Sequence, residues 1–305
     1  MQEKGFSFRK GNIIMKQMKK VSLLSIIRIN IMMHVHLKEF ILTISIFALI
    51  GLFSVYEVLA YPSTLLKNVW DVLFVSFVGP SISDDSLFNF FIFFIPYLMF
   101  FYMFGNIAEE DLFEKGVSII PLIGSRKKWW FVEIATLFSF SFFYVILGML
   151  TILVAGLFFL PFSNRISPFL LSINQWHING NTTIFTLIFG WIFLLFLTTL
   201  ISFSLTQMAL SIMWRNSFVS LIFVSAIMVL SWVFGIRHPY IVRYLPGSQS
   251  MLLRHAFLDP AVHGFSLAWS LVYNTIAIFI VSTVSFLYVR RMDIFKKISE
   301  IHKEA

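Results

Sequence analysis

The sequence predicts an all-α polytopic membrane protein with six transmembrane helices, and three observations carry that prediction. First, six long apolar runs alternate with short polar connections, at residues 40–60, 88–107, 131–161, 184–213, 218–236 and 267–289. A helix needs about 20 apolar residues to cross the hydrocarbon core, a length these runs reach or nearly reach. A backbone in lipid must satisfy its own hydrogen bonds, so such runs become helices. Second, 58% of the chain is hydrophobic, 12% is charged, and mean hydropathy is +0.86. A water-soluble domain is less apolar. Third, Lys and Arg fall unevenly. Eighteen lie before the first run, between the second and third, at Arg215 and after the last run. Only Lys67, Arg165, Arg237, Arg243 and Arg254 lie on the other side. That bias predicts two cytoplasmic termini in a cell membrane, hence an even number of spans.

In chain order, residues 1–38 are basic, and Lys16, Lys20, Asn30, His34 and Lys38 fall near one helical stripe that Leu23 and Ile27 interrupt. The segment is either a plain orientation flank or an imperfect helix lying on the anionic inner leaflet. His34 and His36 point apart at helical spacing and are assigned no ligand role. Val58-Leu59-Ala60 loosely imitates a cleavage site, but the run is span-length and follows a long basic segment, so it reads as a retained span. Connection 61–87, with Asp71, Asp84 and Asp85, reads as a mildly acidic outer loop turning at Gly79-Pro80. Connection 162–183, with Trp176, His177 and Gly180, reads as a second outer loop, and 213–217 as a tight inner hairpin. Segment 240–258 is too short and too broken by Pro246-Gly247 to span, yet too apolar to float in water. It predicts short helices packed against the fifth and sixth spans. Tyr240, Arg243, Leu245, Met251, Leu252 and Arg254 would form an outer gate, with the two arginines near the outer headgroups. Residues 290–305 form a basic cytoplasmic tail, and with six spans in 305 residues the whole of 1–305 reads as one transmembrane domain.

Several function classes fall away. Gradient-driven carriers place ionisable groups inside their spans, but the acids within these runs are Glu57 and Glu133, both near span ends, and all seven His lie outside. No His-Glu-x-x-His pentad, phosphate-cradling Gly-x-x-x-x-Gly-Lys-Ser/Thr or Gly-x-Ser-x-Gly elbow occurs. Glu109-Glu110 starts a Glu-Glu-x-x-x-Arg protease signature, but Glu114 stands in the Arg position. Zero cysteines remove thiolate metal sites and cysteine nucleophiles. The net charge of +8 is accounted for by the span flanks rather than by a nucleic-acid surface. No cofactor or metal site is expected on this chain, which reads as no enzyme by itself.

The connection after the second run carries the most information. It begins with the acids Glu109, Glu110 and Asp111, passes Phe113, Glu114, Gly116, Ile119 and Ile120, and breaks at Pro121 and Gly124. It ends at Ser125, Arg126, Lys127, Lys128, Trp129 and Trp130. An ordinary loop under positive-inside bias accounts for the basic half but not for the acids or the paired isoleucines. A short helix bearing Ile119 and Ile120 suits a groove on a soluble partner, and the basic-aromatic end suits the headgroup zone. Glu133 is expected to pair with a nearby Lys or Arg at the interface.

In this segment the chain resembles the permease subunits of ATP-binding-cassette transporters of the type-2 exporter class. Glu114-x-Gly116, Pro121, Gly124 and Ser125-Arg126 match in order, although Gly116 to Ser125 is shorter than the family's usual spacing and Glu133 stands where the family often has Lys. The resemblance implies an interfacial helix before span one, a cytoplasmic coupling helix, and short outer helices before the last span. It implies that Glu109, Glu110, Phe113, Glu114, Gly116, Ile119, Ile120, Pro121, Ser125 and Arg126 meet a separate ATPase subunit, which would hold the ATP and Mg. The working unit would be a homodimer or a heterodimer with a second permease, embedded in membrane lipids, exporting an amphipathic or hydrophobic cargo such as a peptide antibiotic, lipid or drug. A non-transporting membrane scaffold or sensor that anchors cytoplasmic partners is the alternative.

Overall fold

A computed structural model describes residues 22–62, 64–82, 86–113, 123, 125–163, 165, 167–173, 182–256, 258 and 264–292. Among these residues the elements are helices, with one isolated bridge between His255 and Phe265 and no strand. In order they are α1 (Leu23–His34), α2 (Leu37–Ala60), α3 (Val69–Phe77), α4 (Leu87–Phe104), α5 (Ile107–Phe113), α6 (Arg126–Leu157), α7 (Pro168–Ile173), α8 (Thr182–Trp214), α9 (Ser217–Arg237) and α10 (Leu267–Arg291). Three short 3-10 turns, η1 (Pro239–Tyr244), η2 (Pro246–Ser250) and η3 (Leu252–Arg254), precede α10. Six helices are long and apolar enough to cross a membrane: α2, α4 with its continuation α5, α6, α8, α9 and α10. The protein is an all-α, multi-pass membrane protein. Six crossings return the chain to its starting side, so residues 22 and 292 share one face, the terminal face.

The helix starts are chemically marked. Ser22, Ser86, Ser125, Asn216 and Ser266 each accept the amide of the residue three positions on, satisfying one of the unpaired donors of a first turn. The Ser125 cap starts α6 at Arg126, five residues before the apolar run begins. The basic cluster is therefore its first turn. Trp129 and Trp130 are buried in protein rather than set in a headgroup zone, and Trp130 Nε1 donates to Ser282 O of α10 at 3.2 Å.

Helix α8 is the central post, packing against α5, α6, α9 and α10. Thr199, Ser202, Ser204, Gln207 and Ser211 lie buried along it, and Asn274 Nδ2 of α10 donates to Thr199 Oγ1 at 2.9 Å. Small and hydroxylated residues let membrane helices approach closely and bond across the gap. Around the post, aromatic rings fill the interior. Phe47 meets Tyr144 at 5.1 Å, Phe104 stacks on Phe140 at 4.7 Å, and Phe196 lies 4.3 Å from Tyr97 and 5.0 Å from Phe77. Such pairs add packing energy beyond the area they bury.

Two short helices depart from the sequence expectation. Connection 61–87 holds α3, whose Val69, Val72, Leu73, Phe74 and Phe77 are buried on every side between α2 and α6. A reciprocal cap starts it: Asn68 Oδ1 accepts from Trp70 N, and Asp71 Oδ2 accepts from Asn68 N at 2.7 Å. Asp71 is therefore a buried cap rather than a solvated loop acid; Asp84 and Asp85 lie outside the described residues. Helix α1 departs in orientation. Its stripe residues Asn30 and His34 face α6 and α5, while Leu24, Ile29, Met32 and Met33 are exposed. Beside lipid, apolar side chains are at ease outside, so the polar stripe turns inward.

Candidate functional site

At the terminal face, α5 carries Glu109, Glu110 and Phe113 of the predicted partner-facing residues. The chain bends off α4 at Gly105-Asn106, where Gln207 Nε2 of α8 donates to Phe101 O at 3.0 Å. A Cβ on Gly105 would stand 2.0 Å from that nitrogen, so only glycine admits the bond. Helix α5 is thereby clamped to the central post. On it Asp111 is fully buried and meets His34 Nε2 of α1 at 2.9 Å. Asn106 Nδ2 donates to Glu110, one turn on, in a very short bond. The Arg215 guanidinium lies 5.3 Å from the centre of the Phe113 ring. Arg215 forms the turn between α8 and α9 with a left-handed backbone, φ 55°, unusual for a side chain of its size. This cation-on-ring contact ties the end of α5 to the α8–α9 hairpin.

The expected docking residues thus separate. Glu109 and Glu110 are half-buried and Phe113 sits under Arg215. Glu114, Gly116, Ile119, Ile120 and Pro121 lie outside the described residues. Ser125 is the α6 cap, and Arg126 Nη1 donates to Arg290 O at 3.0 Å and Met292 O at 2.7 Å. A cation at a helix C-terminus satisfies otherwise orphaned carbonyls. Both residues are engaged at helix ends within the chain. Glu133 is buried in α6, with Asn30 Nδ2 reaching it at 3.5 Å and Thr136 Oγ1 at 3.1 Å, so its surroundings include an amide from α1 as well as α6 itself.

The opposite face is closed by η1–η3, which pack on α8, α9 and α10. Met251 and Leu252 are fully buried, and Leu252 N donates to Val78 O at 2.7 Å, pinning this cap to the end of α3. Leu245 is half-buried; Tyr240 and Arg243 are exposed at the rim, Arg243 lying over the Tyr244 ring. Arg254 corrects the sequence reading. It is fully buried rather than near outer headgroups, with Nη1 donating to Ser248 Oγ at 2.8 Å and Nε to Pro80 O at 3.3 Å. Gly235 of α9 makes the room: a Cβ there would stand 2.1 Å from Arg254 Nη1.

Two further buried ionisable groups flank this cap. His255 Nδ1 donates to Met251 O at 3.0 Å, and Nε2 meets Ser270 Oγ at 2.8 Å, which in turn meets Gln249 Oε1 at 2.8 Å. Burial pushes the imidazole down to about 4. Burial pushes Asp71 up to about 6, against the opposing pull of Ser167 Oγ at 2.5 Å, the Asn68 amide and the Lys67 charge. Among the described residues no group of three or more His, Asp or Glu is placed to hold a metal.

Sequence reasoning overlooked His34, Asn30, Arg215 and His255 as structural contacts. A signal existed for the first pair, since Asn30 and His34 sit four apart on a mostly apolar helix, one above the other on one face. Neither Arg215 nor His255 stands in any such pattern. No protein-family model, no curated protein and no solved structure matches the chain.

Proposed function

We propose that the chain is the membrane subunit of an ATP-driven exporter of the type-2 ATP-binding-cassette class, paired with a second permease copy and with separate ATPase subunits. In this reading the terminal face is cytoplasmic and the ATP and Mg reside on the partner. The observation that carries it is the mechanical connection of α5. The segment leading into the expected ATPase contact is clamped to α8 through Gln207, to α1 through His34–Asp111 and to the α8–α9 hairpin through Arg215. A push on this segment would reach the central post and the peripheral helix together, and packed elements with two arrangements are what transmit such a push. The opposite-face cap would serve as the outer gate, and the apolar, aromatic interior suits an amphipathic or hydrophobic cargo.

The test is isolation of the full chain from its native membranes with mild detergent, followed by identification of co-purifying proteins and assay of ATP hydrolysis. A stoichiometric ATPase whose activity is lost when its own phosphate-loop lysine is replaced supports the reading. Isolation of the chain without any ATPase, under conditions that keep other transporter complexes intact, returns it to the scaffold class.

A further inference from the structure

Between the start of α2 and the junction of α4 with α5 lies a half-open cavity of about 540 Å³. Its walls change character along the membrane normal. Leu42, Tyr102 and Met103 line the deeper end, and Lys38, His36, Glu39, Asn106 and Glu110 the end at the terminal face. Lys38 and Leu42 are one helical turn apart on α2. Tyr102, Asn106 and Glu110 descend by the same step, so the gradient spans about 12 Å. Tyr102 of the lining lies within the α4 span and is 68% exposed, so the cavity's flank opens at membrane depth, toward lipid rather than only toward water. A soluble metabolite has no use for such a gradient. An amphiphile with a short polar head does.

The charges at the polar end narrow the head. Glu39 Oε2 accepts the His36 amide at 2.9 Å, and Glu110 Oε1 accepts from Asn106 Nδ2. Both carboxylates are therefore held in place through one oxygen, with the second oxygen of each remaining. Lys38 supplies a cation on the same wall. Two carboxylates beside one lysine repel a purely anionic head and match a zwitterion whose phosphate meets Lys38 and whose primary ammonium donates to the carboxylates. We propose that this cavity binds an amine-bearing phospholipid of the adjacent leaflet, with a phosphoethanolamine-type head. The site stands whether or not the chain works with an ATPase.

The experiment uses the purified full chain and three phospholipids with identical acyl chains, bearing ethanolamine, choline or glycerol heads, presented together at equal amounts. Native mass spectrometry reads which lipid stays bound. The choline head keeps the phosphate but has no N–H to donate, and the glycerol head keeps the phosphate without an amine. Retention of the ethanolamine lipid about tenfold above both others is expected, the ratio that one lost charge-assisted hydrogen bond produces. Glu110→Gln and Glu39→Gln should bring it down to the choline lipid, while Lys38→Gln should lower all three. Leu42→Trp, which fills the deep end without touching a charge, should displace the lipid whatever its head. Equal retention of the three heads, preference for the glycerol lipid, an ethanolamine preference unchanged in both glutamine variants, or lipid retention unchanged in Leu42→Trp would each overturn the site.

Discussion

Both faces of this protein are finished by short helices that do not cross, but the two are tied down differently. At the terminal face, α1 meets α5 through the buried His34–Asp111 pair, while its other buried polar residue, Asn30, reaches Glu133 and Thr136 of α6, the helix α1 packs along. At the opposite face, the cap η1–η3 is fastened at many points. Arg254 reaches Pro80 O and Ser231 O, Leu252 N reaches Val78 O, Gly247 N reaches Ser231 Oγ, His255 and Gln249 meet Ser270 Oγ, and Trp269 Nε1 and Tyr273 OH donate to Arg243 O and Tyr244 O. The cap's ties are spread over several backbone oxygens, whereas the contact between α1 and α5 converges on one buried pair of side chains. Loss of that pair is expected to loosen α1 locally, while loss of one cap tie leaves the others in place.

The comparison is broken most forcefully at Arg254. Arg254→Ala removes the side chain on which the cap converges and leaves a void with stranded oxygens, at a cost of about 4 kcal/mol. Gly235→Ala forces the guanidinium off its partners and should cost about 2 kcal/mol. In the double variant the added methyl meets only the vacated space, so its own cost should nearly vanish, a coupling that denaturant titration of the four proteins in one detergent reads directly. Additive losses would mean that Arg254 does not occupy the space beside Gly235.

A smaller effect is expected at the His34–Asp111 contact. His34→Ala leaves the Asp111 carboxylate buried without its imidazole, costing about 3 kcal/mol. His34→Gln restores a donor and should recover about half of that. The sharper readout is local. A single cysteine at Ile27, on the half-buried side of α1, should be labelled several-fold faster in the His34→Ala background, while one at Val242 under the cap should be unaffected. The absence of native cysteines makes both readings clean. Equal protection of Ile27 in both backgrounds would show that α1 is held by its other contacts.

The same contrast explains what could be read without coordinates. The six spans were legible because lipid forces long apolar helices, whatever their neighbours. The placement of polar residues was not. In water a polar stripe faces out, but beside lipid both directions are open, and packing decides. Asn30 and His34 turned inward for that reason, and Arg254 was drawn into the cap because Gly235 leaves a guanidinium-sized space that no local pattern encodes. Helix α3 carried a weak signal in Asn68 and Asp71, three apart, but its nine residues are too few for a periodicity to stand out. The short helix read from the sequence was centred on Ile119 and Ile120, which lie outside the described residues, while Glu109 to Phe113 form the end of a helix that no local pattern marked. Ser125 and Arg126 stand at helix ends, where a hydroxyl caps an amide and a cation serves carbonyls within the chain.

The smallest expected effect is a pair of opposed pH dependences in the opposite-face layer. Asp71 is raised from its ordinary value to about 6, so the folded state holds its proton more tightly than the unfolded chain. Its contribution is fully present below about 4 and is lost as pH rises through about 6. His255 is lowered to about 4, so its contribution is fully present above about 6.5 and is lost as pH falls through about 4. Each displacement corresponds to at most about 3 kcal/mol. Over the shared window the two slopes oppose, and the unfolding free energy of the wild-type protein in detergent should be nearly level between about pH 4 and 6. Asp71→Asn should uncover a stability that rises with pH across that window, and His255→Gln one that falls. If both variants keep the level profile, neither group is held as deeply as the cap geometry requires. If only His255→Gln changes slope, Asp71 is reached by water beside α3, and the many-point construction belongs to the cap alone.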